Sequence, residues 1–175
     1  GEIDPVELTE HFLSQIELSP IGKKIYIKVT SHLALGQAKE SKRRADLGCR
    51  LSSLDGVPIS WKDLFDIKGY PCEAGSELLA GRLANKNSKV YNFAEAHGLI
   101  CLGKTHMSEL AFSGLGLNPI RETPPCINYP GSVPGGSSSG AATSVSFGLA
   151  AAGIGSDTGG SVRIPAAWND LVGFK

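Results

Sequence analysis

The sequence predicts an α/β protein. Stretches with helical periodicity alternate with short apolar stretches of strand character along the whole chain. With 175 residues, 41% of them apolar and 19% charged, the chain is also large and apolar enough to enclose a core.

Residues 4–18 predict the first helix. Asp4 can cap it, Pro5 suits its first position, Glu7 would complete a capping box, and Val6, Phe12, Leu13 and Ile16 form an apolar stripe. Residues 25–29 alternate like a short strand, and residues 31–47 read as a helix stopped near Gly48. After a turn at Asp55-Gly56, a strand is expected around residues 59–62. Residues 88–97 predict a helix between the cap Ser88 and the stop Gly98. Residues 99–102 then predict a buried strand, and Thr105 the start of a short helix. Five prolines between 118 and 134 mark a loop. Residues 138–148 read as a helix of small side chains and residues 150–155 as a buried strand. No internal repeat or linker divides the chain, which reads as a single domain.

Composition excludes several classes. Seventeen Lys and Arg balance seventeen Asp and Glu, so nothing points to nucleic acid. The densest basic run, Lys42-Arg43-Arg44, lies on a helix-like stretch and reads as a solvated face. The apolar region 145–154 is broken by glycine and too short to span a bilayer, and residues 1–10 lack a secretory signal. The four cysteines, at 49, 72, 101 and 126, form no Cys-x-x-Cys pair, so neither a metal site nor a redox motif is expected. The expectation is a soluble cytoplasmic protein with free thiols, without a cofactor.

Chemistry concentrates in Val133-Pro-Gly-Gly-Ser-Ser-Ser-Gly140 and Gly155-Ser-Asp-Thr-Gly-Gly-Ser-Val-Arg-Ile-Pro-Ala166. Both place serines beside paired glycines. Glycine lets the backbone turn tightly, so that successive N–H groups can converge on one point. A serine closing such a turn sits beside those donors, as acyl transfer requires. Its hydroxyl also needs a base. His11, His32, His97 and His106 form no Ser-His-Asp pattern and read as structural or surface residues. Lys62, flanked by Ile59, Trp61, Leu64 and Phe65, is the other candidate. Burial would have to lower its pKa by roughly 3 units. Asp63, next along the strand, would face the opposite side of the sheet.

These segments resemble the amidase signature family. Gly135-Gly-Ser-Ser-Ser-Gly140 followed by Gly155-Ser-Asp-Thr-Gly-Gly-Ser-Val-Arg-Ile-Pro165 is similar to its signature. Gly56-Val-Pro-Ile-Ser-Trp-Lys-Asp63 resembles its lysine segment, and Gly103-Lys-Thr-His-Met-Ser-Glu-Leu-Ala111 a further block. The resemblance implies a mixed β-sheet covered by helices on both faces, incomplete in this chain, with residues 1–175 as the N-terminal portion of one amidase domain. It implies a Ser–cis-Ser–Lys triad: Ser161 as nucleophile, Ser137 as bridge after a cis Gly136–Ser137 bond, and Lys62 as base. It assigns the oxyanion to the backbone N–H groups of Thr158, Gly159, Gly160 and Ser161. Gly136, Ser138, Asp157 and Arg163 support the site, with Asp157 ordering the turn and Arg163 structural. Ser138 and Ser139, at a helix start, read as caps.

The expected reaction is hydrolysis of a carboxylic amide through an acyl-enzyme on Ser161, with a small amide as partner and a homodimer as the assembly allowed. The 175-residue chain by itself is expected to be inactive or poorly active. One alternative is the A subunit of glutamyl-tRNA(Gln) amidotransferase, a glutaminase. That subunit usually carries Asn after Gly-Lys-Thr and then Met-Asp-Glu-Phe, where this chain has His106 and Ser108-Glu109-Leu110. The segment 112–119 also looks more like stand-alone bacterial amidases. Another alternative is a non-catalytic amidase-fold scaffold. A phosphate loop is disfavoured because no lysine follows Gly140 or Gly160.

Overall fold

The computed structural model describes residues 2–175. Helices α1 (Pro5–Leu18), α2 (Gly22–Ile25) and α3 (Ser31–Asp46) bracket strand β1 (Tyr26–Val29). Strand β2 (Pro58–Lys62), helix α4 (Lys89–Ala96) and strand β3 (Ile100–Thr105) follow. Helix α5 (Ser139–Ser146), strand β4 (Ala152–Ile154) and helix α6 (Arg163–Trp168) close the chain. The strands form one mixed sheet in the order β1-β3-β2-β4. β3 runs antiparallel to β1 and parallel to β2, and β2 is parallel to β4.

Local chemistry explains most boundaries. Asp4 caps α1 by accepting from Val6 N–H at 2.7 Å. Glu7 makes no reciprocal bond among the described residues, so only half of the expected capping box forms. Ser88 caps α4 by accepting from Tyr91 N–H. Gly98 ends that helix at φ 83°, a conformation costly for residues with a Cβ.

The sheet buries both faces. On β3, Cys101 joins a cluster with Ile59, Trp61, Ile67 and Tyr91, whereas its neighbour Leu102 joins Ile16, Ile25, Tyr26 and Leu149. Adjacent residues of a strand point to opposite sides, so each face has its own core. On β2, Ile59 and Trp61 pack toward α4, while the Ser60 hydroxyl meets that of Ser144 on α5 at 2.7 Å. All five residues of β2 are buried, and Lys62, at its end, alternates to the same side as Ser60, the side of α5. Among the described residues no helix is long and apolar enough to cross a membrane.

Three expectations differ from the structure. Thr105 ends β3 rather than starting a helix; its hydroxyl donates to the Trp61 carbonyl, and the nearest helical turn is a short 3-10 segment at Glu109–Ala111. β4 is a half-exposed strand at the sheet edge rather than a buried one, because β2 alone pairs with it. α6 was not anticipated, since Pro165 lies inside it and its six residues carry too little periodicity.

Candidate active site

The buried end of β2 delivers Lys62 to the start of α5. Its side chain is fully buried, and its Nζ donates to the hydroxyl oxygens of Ser137 and Ser156, each at 2.7 Å. Burial lowers the Lys62 pKa from 10.5 to about 7, against the smaller opposing pull of the Asp157 carboxylate. An amine in that range can take a proton near neutral pH.

Ser137 follows a cis Gly136–Ser137 peptide bond. The segment before it is clamped by a neighbouring loop: Gly135 N–H donates to the Leu115 carbonyl at 3.0 Å and Gly136 N–H to that of Gly114 at 2.8 Å. The backbones are close enough that a Cβ at Gly136 would meet the Gly116 Cα at 2.6 Å, so only glycine fits. The Ser137 carbonyl in turn accepts from Ser108 N–H at 3.1 Å.

Ser161 closes the turn 155–161, brought alongside by main-chain pairing: Ser138 N–H donates to the Ser161 carbonyl at 3.2 Å. The Ser161 side chain is half-buried. Its hydroxyl has no hydrogen-bond partner among the described residues, whereas Ser137 already contacts Lys62. Asp157 organises the turn. Its carboxylate accepts from the N–H groups of Gly160, Val162 and Arg163 and from the Arg163 guanidinium at 3.0 and 2.9 Å. The Arg163 guanidinium and these amides hold its carboxyl below the usual carboxylate range.

That arrangement changes two assignments made from sequence. Gly160 N–H is aimed at Asp157, 3.0 Å away, because the carboxylate is the stronger acceptor within reach. The N–H groups of Thr158, Gly159 and Ser161 have no acceptor among the described residues. Ser138 and Ser139 do not cap α5. The Ser138 hydroxyl donates to the Ser156 carbonyl and accepts from Ser156 N–H, and the Ser139 hydroxyl donates to the His106 carbonyl. These serines stitch the two glycine-rich segments to each other and to His106, just past β3.

Ser156 was missed in the sequence, where it is one more small polar residue in a glycine-rich run. Only the depth of Lys62 makes its hydroxyl a ligand of the amine. Lys104 was also missed. It is fully buried and pairs with Asp63 at 2.8 Å, which places the Asp63 carboxylate away from the two serines, as the strand alternation anticipates. Among the described residues no three His, Cys, Asp or Glu side chains form a group able to hold a metal ion.

Known proteins share this arrangement of segments. The family model described as amidase matches residues 7–175. The chain belongs to the amidase family. It is 40% identical over 175 residues, 99% of its length, to the A subunit of glutamyl-tRNA(Gln) amidotransferase from Anaeromyxobacter dehalogenans, and covers 35% of that protein. Among solved structures, the peptide amidase of Stenotrophomonas maltophilia superposes with a TM-score of 0.87 at 30% identity, over 97% of this chain and 36% of that one. A bacterial aryl acylamidase of the amidase signature enzymes gives 0.86 at 30% identity, over 96% and 35%. The chain therefore spans about a third of the length of the amidase relatives it matches. Its mixed sheet with flanking helices is the N-terminal part of the amidase-signature fold.

Proposed function

We propose that this amidase chain carries the proton-transfer and nucleophilic residues of an enzyme that cleaves carboxylic amides. The observation that carries the reading is the buried contact of Lys62 Nζ with Ser137 Oγ at 2.7 Å, beside a serine whose hydroxyl is uncommitted. Neutral Lys62 accepts the Ser137 proton while Ser137 takes that of Ser161. Ser161 Oγ then attacks the amide carbonyl. The developing oxyanion is met by the N–H groups of Thr158, Gly159 and Ser161. Returned through Ser137, the proton goes to the leaving amine, and water releases the acyl group by the reverse relay. Ser156 accepts one N–H of the amine and so turns its lone pair toward Ser137. A fluorophosphonate that labels the full-length enzyme at Ser161, but not Ser161→Ala, supports this reading; a folded, unlabelled wild type favours the non-catalytic scaffold.

Within amide chemistry, a stand-alone amidohydrolase acting on a small amide is the preferred reading. The Gly-Lys-Thr-His106 block and the likeness to peptide amidase and aryl acylamidase support it. A glutaminase that passes ammonia to glutamyl-tRNA(Gln) is the second reading, favoured by 36–40% identity to amidotransferase A subunits. Ammonia release from glutamine that depends on transamidation partners would select it. On either reading residues 1–175 form the N-terminal portion of one amidase domain, working in the cytoplasm without a cofactor, with a homodimer as the assembly to test. Hydrolysis by the 175-residue chain equal to that of a longer one would sink the partial-domain assignment.

A further inference from the structure

Lys62 can take a proton from Ser137 only as a free amine, so the charges around it decide whether it works. One carboxylate acts on it: Asp157, which follows Ser156, whose hydroxyl touches Nζ. An unpaired anion nearby favours the ammonium form. Asp63, just past the end of β2, is turned away and paired at 2.8 Å with Lys104, the two side chains 3% and 0% exposed. Asp157 is held bidentately by Arg163 at 2.9 and 3.0 Å, with Lys175 at 3.6 Å. The other titratable groups nearby are quiet. Glu73, whose N–H donates to Asp63, is paired with Arg121 at 2.9 Å. Burial pushes the pKa of His106, just past β3, below the ordinary imidazole value. Ser137 and Ser156 contribute uncharged hydroxyls.

We propose that Arg163 is a charge-compensating positioning residue: it offsets a carboxylate that would otherwise keep a proton on Lys62, and so helps leave Lys62 a neutral amine able to accept. The proposal rests on the reading of Lys62 as the base. Arg163 acts through Asp157. Asp157 keeps three backbone N–H donors without it and stays an anion, and at 54% exposure the guanidinium leaves no cavity when removed.

The test is the titration midpoint of Lys62 itself, read in the full-length enzyme from lysine labelled with carbon-13 at Cε and assigned by loss of its signal in Lys62→Met. Arg163→Gln should raise the midpoint by roughly one pH unit. Asp157→Asn/Arg163→Gln should return it to the wild-type value or below, and Arg163→Lys should leave it in place. A folded Arg163→Gln with an unmoved midpoint, or a double variant that keeps the rise, overturns the proposal. If Arg163→Gln does not fold, Asp157→Asn asks the same question from the other side: a midpoint below that of the wild type supports the proposal, and an unmoved one overturns it. Fluorophosphonate labelling of the wild type keeps the questions apart: absence of label at every pH defeats the assignment of Ser161, while the Lys62 midpoints still decide whether Arg163 acts on it.

Discussion

The two halves of the site are built differently. Lys62 ends a strand whose five residues are all buried, paired with β3 along its length and with β4 over residues 59–61. Ser161 ends a turn whose residues 158 and 159 are exposed, ordered by one carboxylate that collects three backbone N–H groups and a guanidinium. Lys62, the proposed base, is fixed by the sheet; Ser161, the proposed nucleophile, is fixed by the turn that Asp157 orders. Burial that lowers the affinity of Lys62 for a proton needs a rigid, dry position. Donors for an oxyanion need a turn that substrate can reach.

The sharpest way to break this contrast is at Ser161. Ser161→Ala should leave the fold intact, abolish fluorophosphonate labelling and lower kcat about 10⁴-fold or more, measured on the full-length enzyme. Lys62→Met should cost roughly 10³-fold in kcat yet stabilise the fold, because it removes a buried amine that must give up its proton. The folded-state pKa of about 7 lies below the ordinary lysine value of 10.5, so between those values the unfolded chain holds the extra proton and wild-type stability rises with pH. The gain from Lys62→Met should therefore be about 2–4 kcal/mol near neutral pH and fade above about pH 10, read by denaturant unfolding.

Asp157→Ala tests the turn. It should lower kcat roughly 10²-fold, by freeing the turn and dispersing its amides, with Lys62 still in place. A variant with unchanged kcat would mean that the turn holds itself. Ser156→Ala should have the smallest effect, roughly 10-fold in kcat, with the acid limb of the kcat/KM profile, expected near pH 7 in the wild type from the Lys62 pKa of about 7, shifted from that position. A limb that stays in place would confine Ser156 to packing.

The same contrast sets how much was legible in the sequence. Caps and stops mark the helices: Asp4, Ser88, Gly48 and Gly98 are local signals that act within a turn of the chain. The Lys62–Ser137 contact joins residues 75 apart in sequence, and is legible only through a family resemblance until the sheet locates it. Ser156, Lys104 and the diversion of Gly160 N–H depend on which atoms happen to lie within 3 Å after folding. No periodicity encodes that. The edge position of β4 was illegible for a related reason: whether a short strand is buried depends on its neighbours in the sheet rather than on its own residues.

That edge has a mechanical consequence. β4 bonds to β2 along one side only, and its last residue, Ile154, stands just ahead of Ser156 and Asp157. Among the described residues its other side has no strand partner, and such an edge in any sheet invites a further strand. A strand joining there would brace the turn bearing Ser161, so whatever pairs with this seam in a longer chain also steadies that turn.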